Sequence, residues 1–470
     1  MLKNLFDGLT GKLRKTEDEA AVAEPDAQTP PPATQPDTGP VELPPTLGFV
    51  AHQPVLDRQQ AVVAYEFTLR QGAGQTAARR REFDRMLLRT LRNMDLFRLL
   101  AYRRALVHLS LGALEEEGLL GLPERTVILV LDPVGDAPVT PEVLERIDTL
   151  KAGGVRFAVE PALYDARLLP EALHDAFFRR MDFMVLDFAA PSTRILAPFL
   201  DQLPKRYAHA RWFARNVGSA EDLALCLQAP GNNRFALFHG SYLATARTMD
   251  NRKQDNGSQT RVLQIMRLLR ANADARTLEA QFKLDSVLLF KLLRFINSPV
   301  NGLAKQVQSV EDALLLLGRE SLFKWLSMLL FTARKDDGHA LALLEKSLIR
   351  ARFMERLGQP QDHRLVEEHL FLTGMFSLLD VLLGVPFPDV IGPLDLPVTV
   401  RDALNEQKGP FAPQLALAMA CEQGESVRIQ TLARLLNRPV EAVGQLYMDA
   451  VVWAQEVLRA SEVHNNVEAV

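Results

Sequence analysis

The feature that most constrains this chain is a change of rhythm near residue 250. Before it, short apolar runs alternate with helix-like stretches. The runs "LGFVAHQPVL", "AVVAYEFTL", "RALVHLSL", "TVILVLD", "VRFAVE", "DFMVLDF", "RWFARNV" and "FALFHGSYL" fall between Leu47 and Ala246. Segments of helical spacing, such as "RREFDRMLLRTLRNM" and "PEVLERIDTLKAGG", lie between most of them. Buried strands separated by helices imply parallel β–α–β units, because a parallel partner can be reached only through a crossover. About eight such runs in roughly 200 residues predict a small TIM-like α/β barrel, opened by one hairpin-like pair around "LDRQQAVV". An open doubly wound sheet is the competing topology. No G-x-G-x-x-G follows the first strand, which argues against its dinucleotide-binding version.

After "MDNRKQDNGSQT", residues 249–260, the strands stop. "QTRVLQIMRLLRANA", "SVLLFKLLRFINSP", "SVEDALLLLGRESLFKWLSMLLF" and "HALALLEKSLIRARFMERLG" all read as helices, as does most of the chain to about Leu458. Ser309 with Asp312 has the pattern of an N-cap and a first-turn acid. The expected organisation is a Pro-rich disordered tether over 1–46, a barrel over 47–248 and a linker over 249–260. An all-α domain over 261–460 and a flexible tail over 461–470 complete it. A chain of 470 residues is long enough for such a division.

Composition excludes several classes of function. The net charge of −4 does not describe a dedicated nucleic-acid binder. The charge is unevenly placed: residues 251–335 hold 14 Lys and Arg against 7 Asp and Glu, and residues 336–470 hold 11 against 19. The basic stretch lacks an aromatic stacking platform, so contact between parts of one protein, or with a protein partner, is expected there rather than nucleic acid. Cys226 and Cys421 have no partners at metal-ligand spacing, which fits a reducing, cytoplasmic location. No apolar run is long enough for a transmembrane segment.

The first 15 residues, "MLKNLFDGLTGKLRK", lack the apolar core of a signal peptide. Leu2, Leu5, Phe6, Leu9 and Leu13 fall on one helical stripe, with Lys3, Lys12, Arg14 and Lys15 off it. The segment is either a weak docking helix, for a partner or a membrane surface, or a frayed terminus with chance periodicity.

Four acids stand where barrel strands should end: Glu66, Asp132, Glu160 and Asp187. Converging carboxylates at a barrel mouth suit a hard cation such as Mg²⁺. Acids also end strands simply because a barrel mouth is wet.

Here the sequence resembles a known family. "YEFTLR" is similar to the E-A-L-x-R signature of EAL domains, the cyclic di-GMP phosphodiesterase barrel, with Glu66 and Arg70 at its glutamate and arginine. With the helical half, the chain resembles the two-domain EAL–HDOD signalling family from residue 47 to about 460. The resemblance implies a degenerate site. Where the family has a ligand Asn, "VHLS" places His108. The ligand Glu of the next strand aligns with Leu129, with Asp132 nearby. The Asp-Asp pair becomes Glu160-Pro161. The Lys of K-I-D becomes Val185, leaving Asp187. A further Glu becomes Arg215, and the Gln of Q-G becomes His239. Leu129 has no donor atom, and Arg215 puts a fixed positive charge where a cation would bind. Glu66 is expected to be a relic of an active site, paired now with a cation such as Arg215.

"LLRFINSPVNGLAKQVQSVEDALLLLG" resembles the core of HDOD domains, which are related to metal-dependent HD phosphohydrolases. The resemblance places Ser377-Leu378 at the His-Asp doublet and Lys346 at an earlier ligand His. Neither domain is expected to be an enzyme, and no catalytic, metal or cofactor residue is assigned. The retained family positions are Glu66, Arg70 and Asp187. Asn297 is expected to cap backbone groups at a turn. Lys291 and Arg294, an i,i+3 basic pair, are either an interaction surface or a solvated face. Trp325 joins them if it reaches the surface, since aromatics dominate interface hot spots.

The expected function is a catalytically inactive signalling scaffold that binds protein partners, linked to cyclic di-GMP-related regulation of motility, pili or biofilm. A cyclic di-GMP-binding sensor and a residual phosphodiesterase are the alternatives.

Overall fold

The structure is a computed structural model. It describes residues 50–69, 77–93, 103–116, 119, 126–133, 138–189, 203–228, 235–244, 257–297, 307–331, 338–358 and 364–466. The N-terminal stripe over residues 1–15, the tether over 1–46 and Arg70 lie outside the described residues.

Eight strands close a barrel in sequence order: β1 Val50–Leu56, β2 Val62–Leu69, β3 Arg104–Ser110, β4 Val127–Asp132, β5 Arg156–Val159, β6 Phe183–Asp187, β7 Arg211–Arg215 and β8 Phe235–Phe238. β1 runs antiparallel to both of its neighbours, and every other pairing is parallel. The β1–β2 hairpin turns on Asp57, whose Oδ1 accepts the Gln59 and Ala61 N–H groups. Helices α1 Ala77–Asn93, α2 Pro141–Ala152, α3 Glu171–Phe178, the short α4 Leu203–Arg206 and α5 Ala220–Gln228 occupy crossovers between the parallel strands. Helix α2 starts as its sequence dictates: Thr140 accepts the Val143 N–H and Pro141 follows it.

Side-chain parity along the strands makes the site. Ala64, Leu106, Ile128, Val130, Ala158, Phe183, Val185, Phe213 and Leu237 point inward and fill the barrel. Tyr65, Phe67, Val107, Leu129, Leu131, Val159, Trp212 and Phe238 belong to the outer core. Successive side chains on a strand alternate faces. The next inward positions toward the C-terminal face are therefore Glu66, His108, Asp132, Glu160, Asp187, Arg215 and His239. This corrects the alignment of Leu129 with a ligand position. Leu129 packs outward, and the acid that β4 delivers to the mouth is Asp132.

The second half is helical: α6 Gly257–Arg270, α7 Ala275–Lys283, α8 Ser286–Ile296, α9 Val310–Phe331, α10 Gly338–Arg356, α11 Arg364–Phe376, α12 Leu379–Leu383, α13 Phe387–Ile391, α14 Val398–Asn405, α15 Ala412–Gln423, α16 Ser426–Leu435 and α17 Val440–Asn466. Helix α6 opens inside the stretch read from sequence as linker, because its polar residues are used in packing. Gln259 is buried and donates to the Leu330 carbonyl at 3.0 Å, ahead of buried Val262, Ile265 and Met266. Helix α17 likewise continues to Asn466, past the expected start of the tail.

The antiparallel hairpin needs no crossover helix, so its outer face is left for other elements to cover. Helices of the second half do so. Tyr65 and Phe67 are fully buried there, and each apolar burial of this size contributes about 1.5–3 kcal/mol. The Tyr65 hydroxyl donates to Glu345 Oε1 on α10 and accepts from Gln455 Nε2 on α17, both at 2.5 Å. Arg103 Nη1 reaches Gln455 Oε1 at 3.0 Å and Glu345 Oε2 at 3.4 Å. Gln53 Nε2 on β1 donates to the Glu422 carbonyl on α15 at 2.8 Å. At Gly338, the first residue of α10, an added Cβ would lie 2.5 Å from the Gln60 carbonyl group, so backbone meets backbone at the hairpin turn.

Candidate site at the barrel mouth

Glu66, the last inward residue of β2 with a described side chain, is the centre of the mouth and is buried. His108 Nε2 lies 2.6 Å from Glu66 Oε1, and His108 Nδ1 lies 3.2 Å from both carboxylate oxygens of Asp132. A ring that hydrogen-bonds a carboxylate at each nitrogen needs both protons, so His108 is an imidazolium here. Burial depresses its pKa and Arg215 acts the same way. Asp132 and the bond to Glu66 outweigh them and raise it.

Arg215 closes the mouth from β7. Its Nε stands 2.8 Å from Glu66 Oε1, as an ion pair rather than an aligned hydrogen bond, and its Nη1 is 3.5 Å from Asp187 Oδ2. His239 Nδ1 is 3.4 Å from the other Glu66 oxygen. Burial pushes the Glu66 carboxyl up, but Arg215, His239 and His108 together hold it well below the usual carboxylate range. Asp132 behaves similarly: burial is overcome by His108 and Arg80, and its pKa is lowered to about 2.

The outer ring was less legible in the sequence. Arg80 on α1 bonds Asp84 one turn on and Asp132 across the mouth, each at 3.0 Å. Asp84 in turn accepts from the Ser110 N–H and hydroxyl. The i,i+4 spacing of Arg80 and Asp84 was the one available signal. Asn216 sits in the left-handed region at φ 55°, which Asn tolerates, and this turns its amide onto both oxygens of Asp187 at 2.8 and 2.9 Å. Nothing in the spacing of Asp187 and Asn216 announces that contact.

The residues present do not fit a divalent cation. Glu66 and Asp187 both face the Arg215 guanidinium. Asp132 is held by His108 and Arg80. At about 4 Å and an effective dielectric of about 20, an added positive charge meets roughly 4 kcal/mol of repulsion per unit charge. Among the described residues, no group of three or more His, Cys, Asp or Glu is arranged to hold a metal. Val185 is part of the barrel's inner apolar core.

A second buried charge cluster lies in the helical half. Arg350 on α10 forks onto Glu422 on α15 at 2.6 and 2.9 Å. Lys346 Nζ is 3.2 Å from Glu422, and Arg350 Nη1 donates to Ser377 Oγ at 3.0 Å. Lys346 and Ser377, expected from the sequence at HD-type ligand positions, converge on the Arg350–Glu422 ion pair. Burial raises the Glu422 pKa, but Arg350 and Lys346 bring it down to about 2.

The remaining sequence candidates fall elsewhere. Lys291 and Arg294 lie on α8, half-buried, with the Arg294 guanidinium 5.9 Å from the Phe290 ring centroid. Trp325 does not reach the surface. It is buried against Phe295, with ring centroids 5.7 Å apart, because the second half of α9 is enclosed by other helices. It is withdrawn as an interaction residue. Asn297 closes the α8–α9 connection by bonding both the N–H and the carbonyl of Val307 at 2.7 Å.

Residues 258–383 match the model of the HDOD domain. The chain is similar to the uncharacterised protein YuxH of Bacillus subtilis, with 23% identity over 88% of this chain and 99% of that one. It is also similar to the cyclic di-GMP phosphodiesterase CdgJ of Vibrio cholerae, with 22% identity over 87% and 93%. Among solved structures, the EAL domain of Mycobacterium smegmatis DcpA aligns at 17% identity and a TM-score of 0.31, covering 41% of this chain and 89% of that one. The described residues thus form a closed eight-stranded barrel followed by a helical half whose residues 258–383 match the HDOD domain. No helix of the described residues is long and apolar enough to cross a membrane.

Proposed function

We propose that this chain is a non-hydrolytic signalling scaffold, tied to cyclic di-GMP regulation and acting through protein partners. The observation that carries the reading is the Arg215 guanidinium, ion-paired to Glu66 and Asp187 where hydrolysis would need a metal. Phosphodiester hydrolysis at a barrel mouth needs a cation to neutralise the phosphate and to make hydroxide near neutral pH. A fixed guanidinium supplies charge but cannot lower the pKa of a bound water as a metal does. The link to cyclic di-GMP rests on the resemblance and on the Vibrio relative. Incubation of the full chain with cyclic di-GMP and Mg²⁺ or Mn²⁺ tests the reading. No linear dinucleotide is expected, and turnover abolished by Glu66→Ala would overturn it.

A second reading, a cyclic di-GMP sensor or residual phosphodiesterase, is favoured by the Vibrio relative's own activity over nearly the same span. Calorimetry with cyclic di-GMP separates a sensor from a scaffold that does not bind the nucleotide.

A further inference from the structure

The helical half carries two exposed apolar faces on consecutive helices. The first is on α8 and the residue before it: Leu284, Val287 and Phe290 are 64%, 60% and 54% exposed. They are flanked by the cations Lys291 and Arg294, and by Lys283, which is paired to Glu279 on its own helix at 2.8 Å. The second is on the first half of α9, where Leu315 and Leu316 are 82% and 39% exposed. It is flanked by Glu311 and Asp312, which are exposed in the first turn. Gly318, at φ 77° and ψ 165°, breaks α9 after Leu317, so this half-helix is set apart from the buried half that follows. The amide of Asn297 joins the end of α8 to the start of α9 and fixes one face relative to the other.

Scattered exposed leucines need no explanation, but grouped ones with a charged rim mark interaction sites. These two are complementary to each other: one apolar stripe has a basic rim, the other an acidic rim. Both stay exposed in the single chain, so within one molecule neither covers the other. We propose that two copies of the chain pair through them, α8 of one copy against the first half of α9 of the other, and reciprocally. Two identical contacts related by a twofold axis close the assembly. Apolar burial supplies the attraction, and the opposite rims set register and orientation.

The test is sedimentation of the full-length protein from about 1 to 100 µM, the range in which a modest self-association shows. A dimer is expected, weakened by salt because its rim is exposed. Leu315→Asp removes a side chain that is mostly in solvent, so it should leave the far-UV circular dichroism and the melting temperature of dilute, monomeric protein unchanged and shift the protein toward monomer. Lys291→Glu with Arg294→Glu reverses one rim, and Glu311→Lys with Asp312→Lys reverses the other. Each pair alone should weaken self-association at least about tenfold, since like charges then face each other. An equimolar mixture of the two reversed proteins should restore a dimer, because each again meets an opposite rim. A wild-type protein that stays monomeric across this range overturns the proposal. So does a dimer indifferent to Leu315→Asp, or a mixture that fails to associate.

Discussion

The Tyr65 hydroxyl donates a 2.5 Å hydrogen bond to Glu345 across the seam between the barrel and the helical half. Tyr65 precedes Glu66 of the barrel mouth, and Glu345 precedes Lys346 of the helical charge cluster. Gln53, the cross-strand partner of Glu66, bonds the carbonyl of Glu422 in that same cluster. The two buried charge clusters therefore stand back to back, separated by the β1–β2 hairpin.

Tyr65→Phe keeps the ring and removes the hydroxyl. Gln455 and Glu345 then each lose a buried partner, so a loss of about 1–3 kcal/mol is expected. Urea unfolding read by fluorescence and circular dichroism measures it. A midpoint identical to wild type would mean that the seam contributes nothing to stability.

Removing Arg215 should matter more than removing a surface cation. Arg215→Ala leaves Glu66 to His108 and His239 alone, so the loss should approach but not reach the roughly 3–5 kcal/mol that breaking an isolated buried pair typically costs. Arg215→Lys should recover part of this, because the charge returns without the guanidinium fork. Wild-type protein should show no rise in melting temperature with millimolar Mn²⁺. A clear rise, lost in Glu66→Ala, would show that the mouth takes a metal after all.

Acid should unfold the protein through both clusters. Glu66, Asp132 and Glu422 all have lowered pKa values in the folded state, the last two about 2. Their stabilisation is fully present above the unfolded carboxylate range, near pH 4 to 4.5, and is lost as pH falls toward 2. His108 has the opposite sign. Its pKa is raised, so its contribution is complete below about pH 6.5 and fades as pH climbs past the folded value. The denaturant midpoint should thus fall steeply below about pH 4. Glu422→Gln should flatten that fall, and an unchanged acid limb would remove Glu422 from the account.

The seam should make the halves cooperate. Gly338→Val forces a side chain into the Gln60 backbone, where even a Cβ would sit 2.5 Å from the carbonyl. It should uncouple the two halves as well as destabilise them. Separately expressed residues 47–250 and 251–470 should each show weaker hydrogen-exchange protection than in the intact chain, most of all in β1, β2, α10 and α17. Equal protection in fragments and whole would describe independent domains.

By itself the sequence determined the elements. Strand-length apolar runs before residue 250 and helical spacing after it specify an α/β barrel and a helical domain, because periodicity follows the chain locally. It also named the mouth residues by type, since residue identity alone puts a guanidinium at Arg215 and an aliphatic side chain at Val185. Only the tertiary structure decided which side chains meet. Parity moved Leu129 outward and brought Asp132 in, and burial withdrew Trp325. The Asp187–Asn216 and Arg350–Glu422 contacts join strands and helices far apart in the chain. The Tyr65–Glu345 bond spans 280 residues. No local pattern encodes such a pairing, because it exists only once the barrel has closed and left one hairpin face for the helices to cover.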